Sequence, residues 1–283
     1  MCGIFGAIGN NINPGIIRAL AIANRARGIH SLGFFNNTGL FVKRAGDPVD
    51  CLGLPKIDSF IESSACKGWF VAGHTRHATL GAVTTRNAHP FHYGRYIGCH
   101  NGIVDIPRNS DYAVDSQYLF DRLNQCNGDY QTAFADIDGY WALAWFDGES
   151  FFLQAHDNEV WIGRDKRGTW YYSSDYTHLA ACAGKLDSVD CIDGGRTIRF
   201  DVKCRKYRSC KSFVSTYWDT WYDSFDKAKT ADPNDQDDRG ANPFYDDYPD
   251  DPNDPFYAGP AEDRRWARYS AWDDYVGTDE RLR

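Results

Sequence analysis

The second residue of the sequence, Cys2, carries two groups that could do chemistry together. A cysteine thiol needs only modest activation to become a strong nucleophile. Met1 precedes this small residue, a setting in which an initiator methionine is normally removed, and its removal would free the α-amino group of Cys2. An α-amine has a pKa of about 7.7–8.0, so part of it can act as a general base near neutral pH. The sequence therefore predicts a nucleophile and its base on one residue.

Four more residues offer the groups needed to hold and cleave the amide of an amino acid. Arg76, within GHTRHATLG, is a permanent cation that can grip an α-carboxylate through two parallel hydrogen bonds. Asp115, within VDSQ, is a carboxylate suited to an α-ammonium group. Asn101 and Gly102, within CHNGIVD, offer a side-chain amide and an unobstructed backbone N–H. Such a pair would form an oxyanion hole, worth roughly 3–4 kcal/mol per donor.

The order of these segments resembles that of the class II glutamine amidotransferases, the N-terminal-nucleophile (Ntn) glutaminase domains. The pattern is most similar to the glutaminase domain of glucosamine-6-phosphate synthase. The shared segments are, in chain order, CGIFG, RGIHSLG, HTR, NAHP, HNGI and DS, followed by DGYWALAWFDG and YYSSD. The resemblance covers roughly residues 2–210.

The resemblance implies an α+β fold, the four-layer αββα sandwich of the Ntn hydrolases, and release of ammonia from L-glutamine through a γ-glutamyl thioester. It also implies a role for each matching position. The catalytic positions are Cys2, Arg27, Gly28, Asn101 and Gly102. The substrate-binding positions are Arg76, His77, Thr79 and Asp115. No cofactor and no metal are expected.

Three positions depart from the family pattern. His30 stands where the family usually carries Asp, in RGIHSLG. His77 replaces the Trp that often follows HTR, and Leu80 stands where His is common. None of the three is a primary catalytic group. The departures therefore bear on loop support, gating and ammonia coupling rather than on cleavage of glutamine.

Alternating apolar residues and turn formers predict many short strands and a few helices in the first part of the chain. The predicted strands are Cys2–Ile8, Leu32–Phe35, Gly39–Arg44, Trp69–Thr75, Tyr96–His100, Tyr140–Asp147, Ser150–His156, Trp170–Ser174 and Thr197–Lys203. The predicted helices are Pro14–Asn24, Ile57–Cys66, Asp115–Gln125 and Tyr176–Ala183. Asp147 and Gly148 lie between two apolar runs and predict a tight hairpin.

The composition changes after about residue 214. Residues 2–214 are the expected glutaminase domain, and residues 215–283 form a tail with 18 acidic and 8 basic side chains. Much of this tail is too polar to supply a core, yet NPFY at 242–245 is partly repeated as DPFY at 254–257. A short helix over 261–276 is expected. The tail either wraps its own domain or anchors a partner protein through its aromatic residues.

Partners and location follow from these observations. The substrate is expected to be L-glutamine, and the ammonia is expected to pass to a separate acceptor protein bound through the tail. The acidic tail disfavours nucleic acid as a partner. The sequence shows no secretory signal and no membrane span, so a cytoplasmic location is expected.

Several alternatives stay open. The chain could be a related Ntn amidohydrolase acting on another γ-glutamyl amide, or a non-catalytic binding protein that keeps the fold. His89 and His100 are interpreted as loop-shaping residues rather than metal ligands. The basic run KCRKYRSCK at 203–211 is interpreted as an exposed strand, with a phosphate or partner site as the alternative.

Overall fold

The computed structural model describes residues 1–107 and 110–213. The expectations for the tail, namely its wrapping or anchoring role, its aromatic repeat and the helix over 261–276, lie outside the described residues.

Seven antiparallel strands form the first sheet. Their spatial order is β11–β9–β10–β1–β4–β2–β3. The strands are β1 (Gly3–Ile8), β2 (Ser31–Asn36), β3 (Phe41–Ala45), β4 (Phe70–Arg76), β9 (Val160–Arg164), β10 (Trp170–Ser173) and β11 (Ser188–Ile192). In register, Gly3 of β1 lies opposite Thr75, and Ile8 lies opposite both Phe70 and Trp170. The residues that follow Cys2 therefore occupy the middle of the sheet.

Six antiparallel strands form the second sheet, in the order β13–β12–β8–β7–β6–β5. They are β5 (Phe91–Tyr93), β6 (Tyr96–Val104), β7 (Gly139–Phe146), β8 (Ser150–His156), β12 (Thr197–Asp201) and β13 (Lys206–Ser209). Asn101 pairs with Ala142, and Gly102 pairs with Trp141. The predicted hairpin at Asp147 is confirmed, since it joins β7 to β8.

Six helices cover the outer faces of the sheets. They are α1 (Pro14–Ala23), α2 (Pro48–Leu52), α3 (Pro55–Lys67), α4 (Asp115–Gln125), α5 (Tyr130–Phe134) and α6 (Tyr176–Ala183), with a 3₁₀ turn at Asn24–Arg27. Caps at the start of α1 and α6 explain their positions. Asn13 accepts a hydrogen bond from the N–H of Gly15, and Asp175 accepts one from that of Thr177.

The alternation of side chains along the strands creates the layers. In β1, Phe5 packs against the helices of the first sheet, whereas Ile4 faces the other sheet. In β7, Trp141 contacts the layer of α4 and α5, whereas Ala142 lies between the sheets. Successive side chains of a strand point to opposite faces, so each sheet has two buried faces. The αββα architecture predicted from the family resemblance is confirmed.

Candidate active site

Cys2 lies immediately before β1, half-buried, with its thiol against the backbone of the residue that follows β4. The Sγ atom accepts a hydrogen bond from the N–H of His77 at 3.3 Å and lies 3.5 Å from the carbonyl oxygen of the same residue. Burial raises the pKa of the Cys2 thiol, while the His77 N–H and the Arg76 charge act in the opposite direction. A thiol with a raised pKa stays protonated near neutral pH, so it needs a base to become a nucleophile.

Arg27 holds the backbone of Cys2 in place through the carbonyl oxygen of that residue. Its Nε donates a 2.9 Å hydrogen bond to the carbonyl oxygen of Cys2, and its guanidinium lies 3.8 Å from a carboxylate oxygen of Asp175. The neighbouring Gly28 packs against the backbone of Arg76, where a Cβ would overlap the main chain. These contacts hold the loop at Arg27 and Gly28 against the backbone of Cys2 and against the end of β4.

The amino terminus lies in the same place. Loss of solvation lowers the pKa of the Met1 α-amino group, and the positive charge of Arg27 lowers it further, whereas the Cys2 thiol acts in the opposite direction. A positive charge is therefore disfavoured beside Arg27. The lowered pKa favours the neutral form of the Met1 amine, the form that can accept a proton.

Arg76, at the end of β4, points into the loop that follows it. Its Nη1 donates to the carbonyl oxygen of Ala82 at 3.1 Å, and its Nη2 donates to that of Leu80 at 2.6 Å. A guanidinium has five N–H donors, so three stay without a bonded partner among the described residues. The side chain is 4 % exposed, and these remaining donors could bind a carboxylate at the cavity beside Cys2.

Asn101 and Gly102 lie next to each other in β6. The Nδ2 of Asn101 is buried and has no hydrogen-bond partner in the described part of the chain. Its carbonyl oxygen accepts a 3.0 Å bond from Asn158, which fixes the backbone at this point. Gly102 has a φ of +155°, and a Cβ there would overlap the carbonyl oxygen of Tyr140. The strand thus presents an unused amide donor beside a position that only glycine tolerates.

Asp115 begins α4 and belongs to a buried polar cluster that the sequence did not reveal. Its Oδ1 accepts the Ser116 N–H at 2.8 Å, and its Oδ2 lies 3.4 Å from the Val104 N–H. The Ser116 hydroxyl contacts His89 Nε2 at 2.9 Å and His100 Nδ1 at 3.0 Å. The only sequence signal was that these residues stand in or beside the NAHP, HNGI and DS motifs.

The histidines of this cluster are buried and neutral. Burial lowers the pKa of His89 and His100, and it lowers that of His74 to about 3. The rings of His74 and His89 are 3.8 Å apart, and His74 Nε2 lies 3.0 Å from the carbonyl oxygen of His100. Neutral rings can accept and donate hydrogen bonds without a buried charge, so the cluster can hold Ser116 and Asp115 in place.

Six of the nine predicted site residues line one small cavity, of about 20 Å³. Its lining includes Cys2, Arg76, His77, Thr79, Gly102 and Asp115, together with the cluster residues His89, His100 and Ser116. Of the other predicted residues, Arg27 and Gly28 lie behind Cys2, and Asn101 is buried in β6 without lining the cavity. A cavity of this size holds a water molecule.

His30, one of the three positions that depart from the family pattern, contacts the loop that follows β4. Its Nδ1 accepts a 2.8 Å hydrogen bond from the N–H of Ala78, and its ring stacks on that of His77, with the ring centres 5.2 Å apart. An imidazole therefore supplies the acceptor that fixes the start of the loop. Leu80, at another departing position, is 45 % exposed, and its contribution to Arg76 comes from the backbone.

No group of three or more His, Cys, Asp or Glu side chains in residues 1–107 and 110–213 is arranged to hold a metal ion. No helix in the same ranges is long and apolar enough to cross a bilayer.

The sequence is similar to glutamine-dependent aminotransferases. The chain is 28% identical over 214 residues to glutamine–fructose-6-phosphate aminotransferase (isomerizing) of Gluconobacter oxydans, an alignment that covers 67% of this chain and 34% of the relative. The enzyme of the same name from Chlamydia muridarum is 37% identical over 111 residues, covering 37% of this chain and 17% of the relative. These similarities support a class II glutamine amidotransferase domain in this chain.

Solved structures agree on the fold of this amidotransferase domain. Glutamine phosphoribosylpyrophosphate amidotransferase from B. subtilis superposes with a TM-score of 0.56 and 16% identity, over 75% of this chain and 49% of the other. A structure described as the allosteric regulatory enzyme of purine biosynthesis gives a TM-score of 0.60 at the same identity and coverage. No family model matches the sequence. The chain spans about a third of the length of the curated relatives it matches.

Proposed function

We propose that the amidotransferase domain hydrolyses the side-chain amide of L-glutamine through a thioester on Cys2 and releases glutamate and ammonia. The observation that carries the proposal is the placement of the Cys2 thiol at one cavity with Arg76 and Asp115. A cation and a carboxylate at one cavity match the two charged groups of a free amino acid. The relatives named above are glutamine-dependent enzymes by name, which supports glutamine as that amino acid.

The chemistry requires cleavage of the bond between Met1 and Cys2. The freed amine then takes the thiol proton as Sγ attacks the side-chain carbonyl carbon of glutamine. A C–S bond forms, and the carbonyl electron pair moves to the oxygen. We assign the oxyanion to the Gly102 N–H, from a residue that lines the cavity, and to the neighbouring Asn101 Nδ2, a buried donor that has no partner in the described residues and does not itself line the cavity.

The intermediate then collapses towards products. The ammonium on Cys2 gives its proton to the leaving nitrogen, the C–N bond breaks and ammonia departs. Water attacks the γ-glutamyl thioester with the amine again as base, the C–S bond breaks, and glutamate leaves with the thiol restored. The contact of Arg27 with the Cys2 carbonyl supports this sequence, because the amine and the thiol must keep one geometry through both steps.

Substrate entry requires a change at the loop of residues 77–82. The cavity of about 20 Å³ cannot accept a glutamine molecule. The three unused N–H donors of Arg76 are the groups we assign to the α-carboxylate, with Asp115 assigned to the α-ammonium group. The Leu80 and Ala82 carbonyl contacts of Arg76 would then shift or break as the loop makes room.

We further propose that the ammonia passes to a separate acceptor protein and that residues 215–283 tether it. The tail combines 18 acidic side chains with repeated Pro-Phe-Tyr segments, a composition that suits a basic partner with aromatic pockets. The domain boundary near residue 214 is part of this proposal. Co-purification of the full chain and of a chain lacking 215–283 tests it: loss of the partner on truncation supports the tether, and equal recovery contradicts it.

The activity itself is tested by glutamate release from the processed protein, alone and with the co-purified partner. Glutamine should be turned over, and faster than γ-glutamyl amides with larger leaving groups. Faster reaction of such amides would favour the alternative amidohydrolase function. Absence of turnover with every substrate, with and without partner, would favour a binding protein that keeps the fold.

A further inference from the structure

A second cavity lies at the other end of β1 from the nucleophile. Its volume is about 460 Å³. One of its lining residues is Ile8, the last residue of the strand that starts beside Cys2. At about 3.3 Å per residue, the two ends of β1 are roughly 17 Å apart. The cavity is therefore separate from the site proposed for glutamine. Its volume is within the range typical of small-molecule sites.

Aromatic rings form the floor of this cavity. Trp170 begins β10 of the first sheet, Trp69 immediately precedes β4, and Phe200 lies in β12 of the second sheet. The ring of Tyr207 packs edge-on against Trp170 with centres 5.0 Å apart, although Tyr207 is 55 % exposed. Exposed aromatic faces at the end of a core offer a stacking surface for a planar ligand.

Four cations surround these rings. Arg164 and Arg167 come from the β9–β10 hairpin, and Arg205 and Lys206 come from the β12–β13 hairpin. All four are exposed, and no ion pair joins any of them to a carboxylate in the described ranges. The residues that line the cavity include no acidic side chain. Four like charges repel one another, and an anion would relieve that repulsion.

The two hairpins that carry the cations are fixed in place. Asp165 accepts hydrogen bonds from the N–H groups of Arg167 and Thr169, both at 2.9 Å, which closes the first turn. In the second turn, Arg205 donates a 2.6 Å hydrogen bond to Asn10, just after β1. The guanidinium of Arg164 lies over the Trp170 ring at 5.7 Å from its centre. The positive charge is thus held next to the rings.

We propose that this cavity binds a mononucleotide, with the base stacked on the exposed Tyr207 ring beside Trp170 and the phosphate held by the arginines. A base supplies the planar ring, and a phosphate supplies several acceptors for guanidinium donors. The volume suits a single nucleotide, and the cations surround one cavity rather than forming a stripe along which a strand could run. The basic run at 203–211 supplies half of the cations, and a phosphate or partner site is the alternative interpretation of that run.

Isothermal titration calorimetry on the full chain tests the proposal with AMP, GMP, CMP and UMP. At least one should bind, and the corresponding nucleoside and inorganic phosphate should each bind at least roughly tenfold more weakly, because each lacks one half of the recognition. A nucleoside that binds as tightly as its nucleotide would overturn the role of the cations. Failure of all four mononucleotides to bind would overturn the site.

Variants distinguish nucleotide binding at this cavity from a general effect of surface charge. Arg164→Gln and Arg167→Gln should each weaken nucleotide binding roughly tenfold. Arg44→Gln, an exposed arginine on the edge strand β3, makes the same charge change elsewhere and should leave binding unaltered. Tyr207→Ser should weaken the nucleotide but not inorganic phosphate. Equal effects of Arg164→Gln and Arg44→Gln would contradict the assignment.

Two further measurements exclude other occupants, and a third tests whether the two sites are independent. A short oligothymidylate that binds when mononucleotides do not would reveal a nonspecific polyanion surface and overturn the proposal. A peptide of residues 242–257 that binds when nucleotides do not would replace the nucleotide with an acidic aromatic segment. Cys2→Ala should bind the nucleotide normally, since the two sites are separate; loss of binding in that variant would contradict their independence.

Discussion

The Nε of Arg27 donates a 2.9 Å hydrogen bond to the carbonyl oxygen of Cys2. Gly3 immediately follows and begins β1, so the backbone of Cys2 is fixed by a side chain at its carbonyl and by the sheet one residue later. The thiol is fixed separately by the His77 N–H. This arrangement fits a residue that must offer its thiol and its amine in one geometry.

Arg27→Gln should lower kcat by roughly tenfold or more, because a hydrogen bond from a charged group contributes about 1.5–3 kcal/mol. The KM for glutamine should change little, since Arg27 does not line the cavity. Arg25→Gln is the matched control: Arg25 is two residues away, exposed, and paired with Asp47 on the surface. Intact mass must first show the same processing of Met1 in both variants; equal kcat values would then contradict the role of Arg27.

His30→Leu should raise the KM for glutamine by up to about tenfold, because it removes the acceptor for the Ala78 N–H at the start of the loop. His30→Asn keeps an acceptor oxygen near the position of Nδ1 and should restore most of the affinity. Steady-state kinetics of the two variants give the comparison. An unchanged KM in His30→Leu would mean that the loop does not depend on this bond.

The sequence predicted most of the fold because strands with two buried faces are strongly patterned. Ser150–His156, Asp115–Gln125 and Tyr176–Ala183 were predicted at their observed bounds. Strand β6 was predicted to end at His100, yet it continues to Val104, since pairing with β7 overrides the turn preference of Asn-Gly. The short strands β5, β9 and β11 and the helices α2 and α5 were missed. Their few residues carry too little periodicity to stand out.

Ser116→Ala should destabilise the fold by roughly 1–3 kcal/mol, because it leaves ring nitrogens of His89 and His100 buried without their partner. It should also raise the KM for glutamine, since Asp115 loses the hydroxyl beside its Oδ1. Ser116→Thr keeps the hydroxyl and should restore the KM. Ser63→Ala, at an exposed serine of α3, is the control for urea unfolding; a Ser116→Ala variant that matches it in stability and in KM would contradict the positioning role.

Acid should weaken the fold before the carboxylates titrate. His74, His89 and His100 have lowered pKa values in the folded chain, about 3 for His74, against 6.5 when unfolded. Below pH 6.5 the unfolded chain binds more protons, so the free energy of unfolding falls by up to roughly 1.4 kcal/mol per pH unit for each such histidine. Urea unfolding at pH 7.5 and 5.5 measures this fall. Equal stability at the two pH values would contradict the lowered pKa values, because it would mean that folded and unfolded chains take up the same number of protons.

The sequence predicted which residues lie around the site but not how they contact one another. Arg76 and Asp115 were assigned from their charge and their motifs, and both line the cavity with Cys2. The carbonyl contacts of Arg76 depend on the path of the loop that follows it, which no local pattern encodes. The cluster of His89, His100 and Ser116 joins residues from three separate segments. Its existence follows from packing between the elements, which spacing alone does not reveal.

The central claim is that a processed Cys2 carries the glutamyl group. Mass spectrometry of the N-terminal peptide, after rapid acid quench of protein mixed with glutamine, tests it most directly. We predict a peptide that begins at Cys2 and bears one glutamyl group on sulfur, and its absence from Cys2→Ala. A peptide that still begins with Met1, or a processed Cys2 that never acquires the group while glutamate accumulates, would contradict the mechanism.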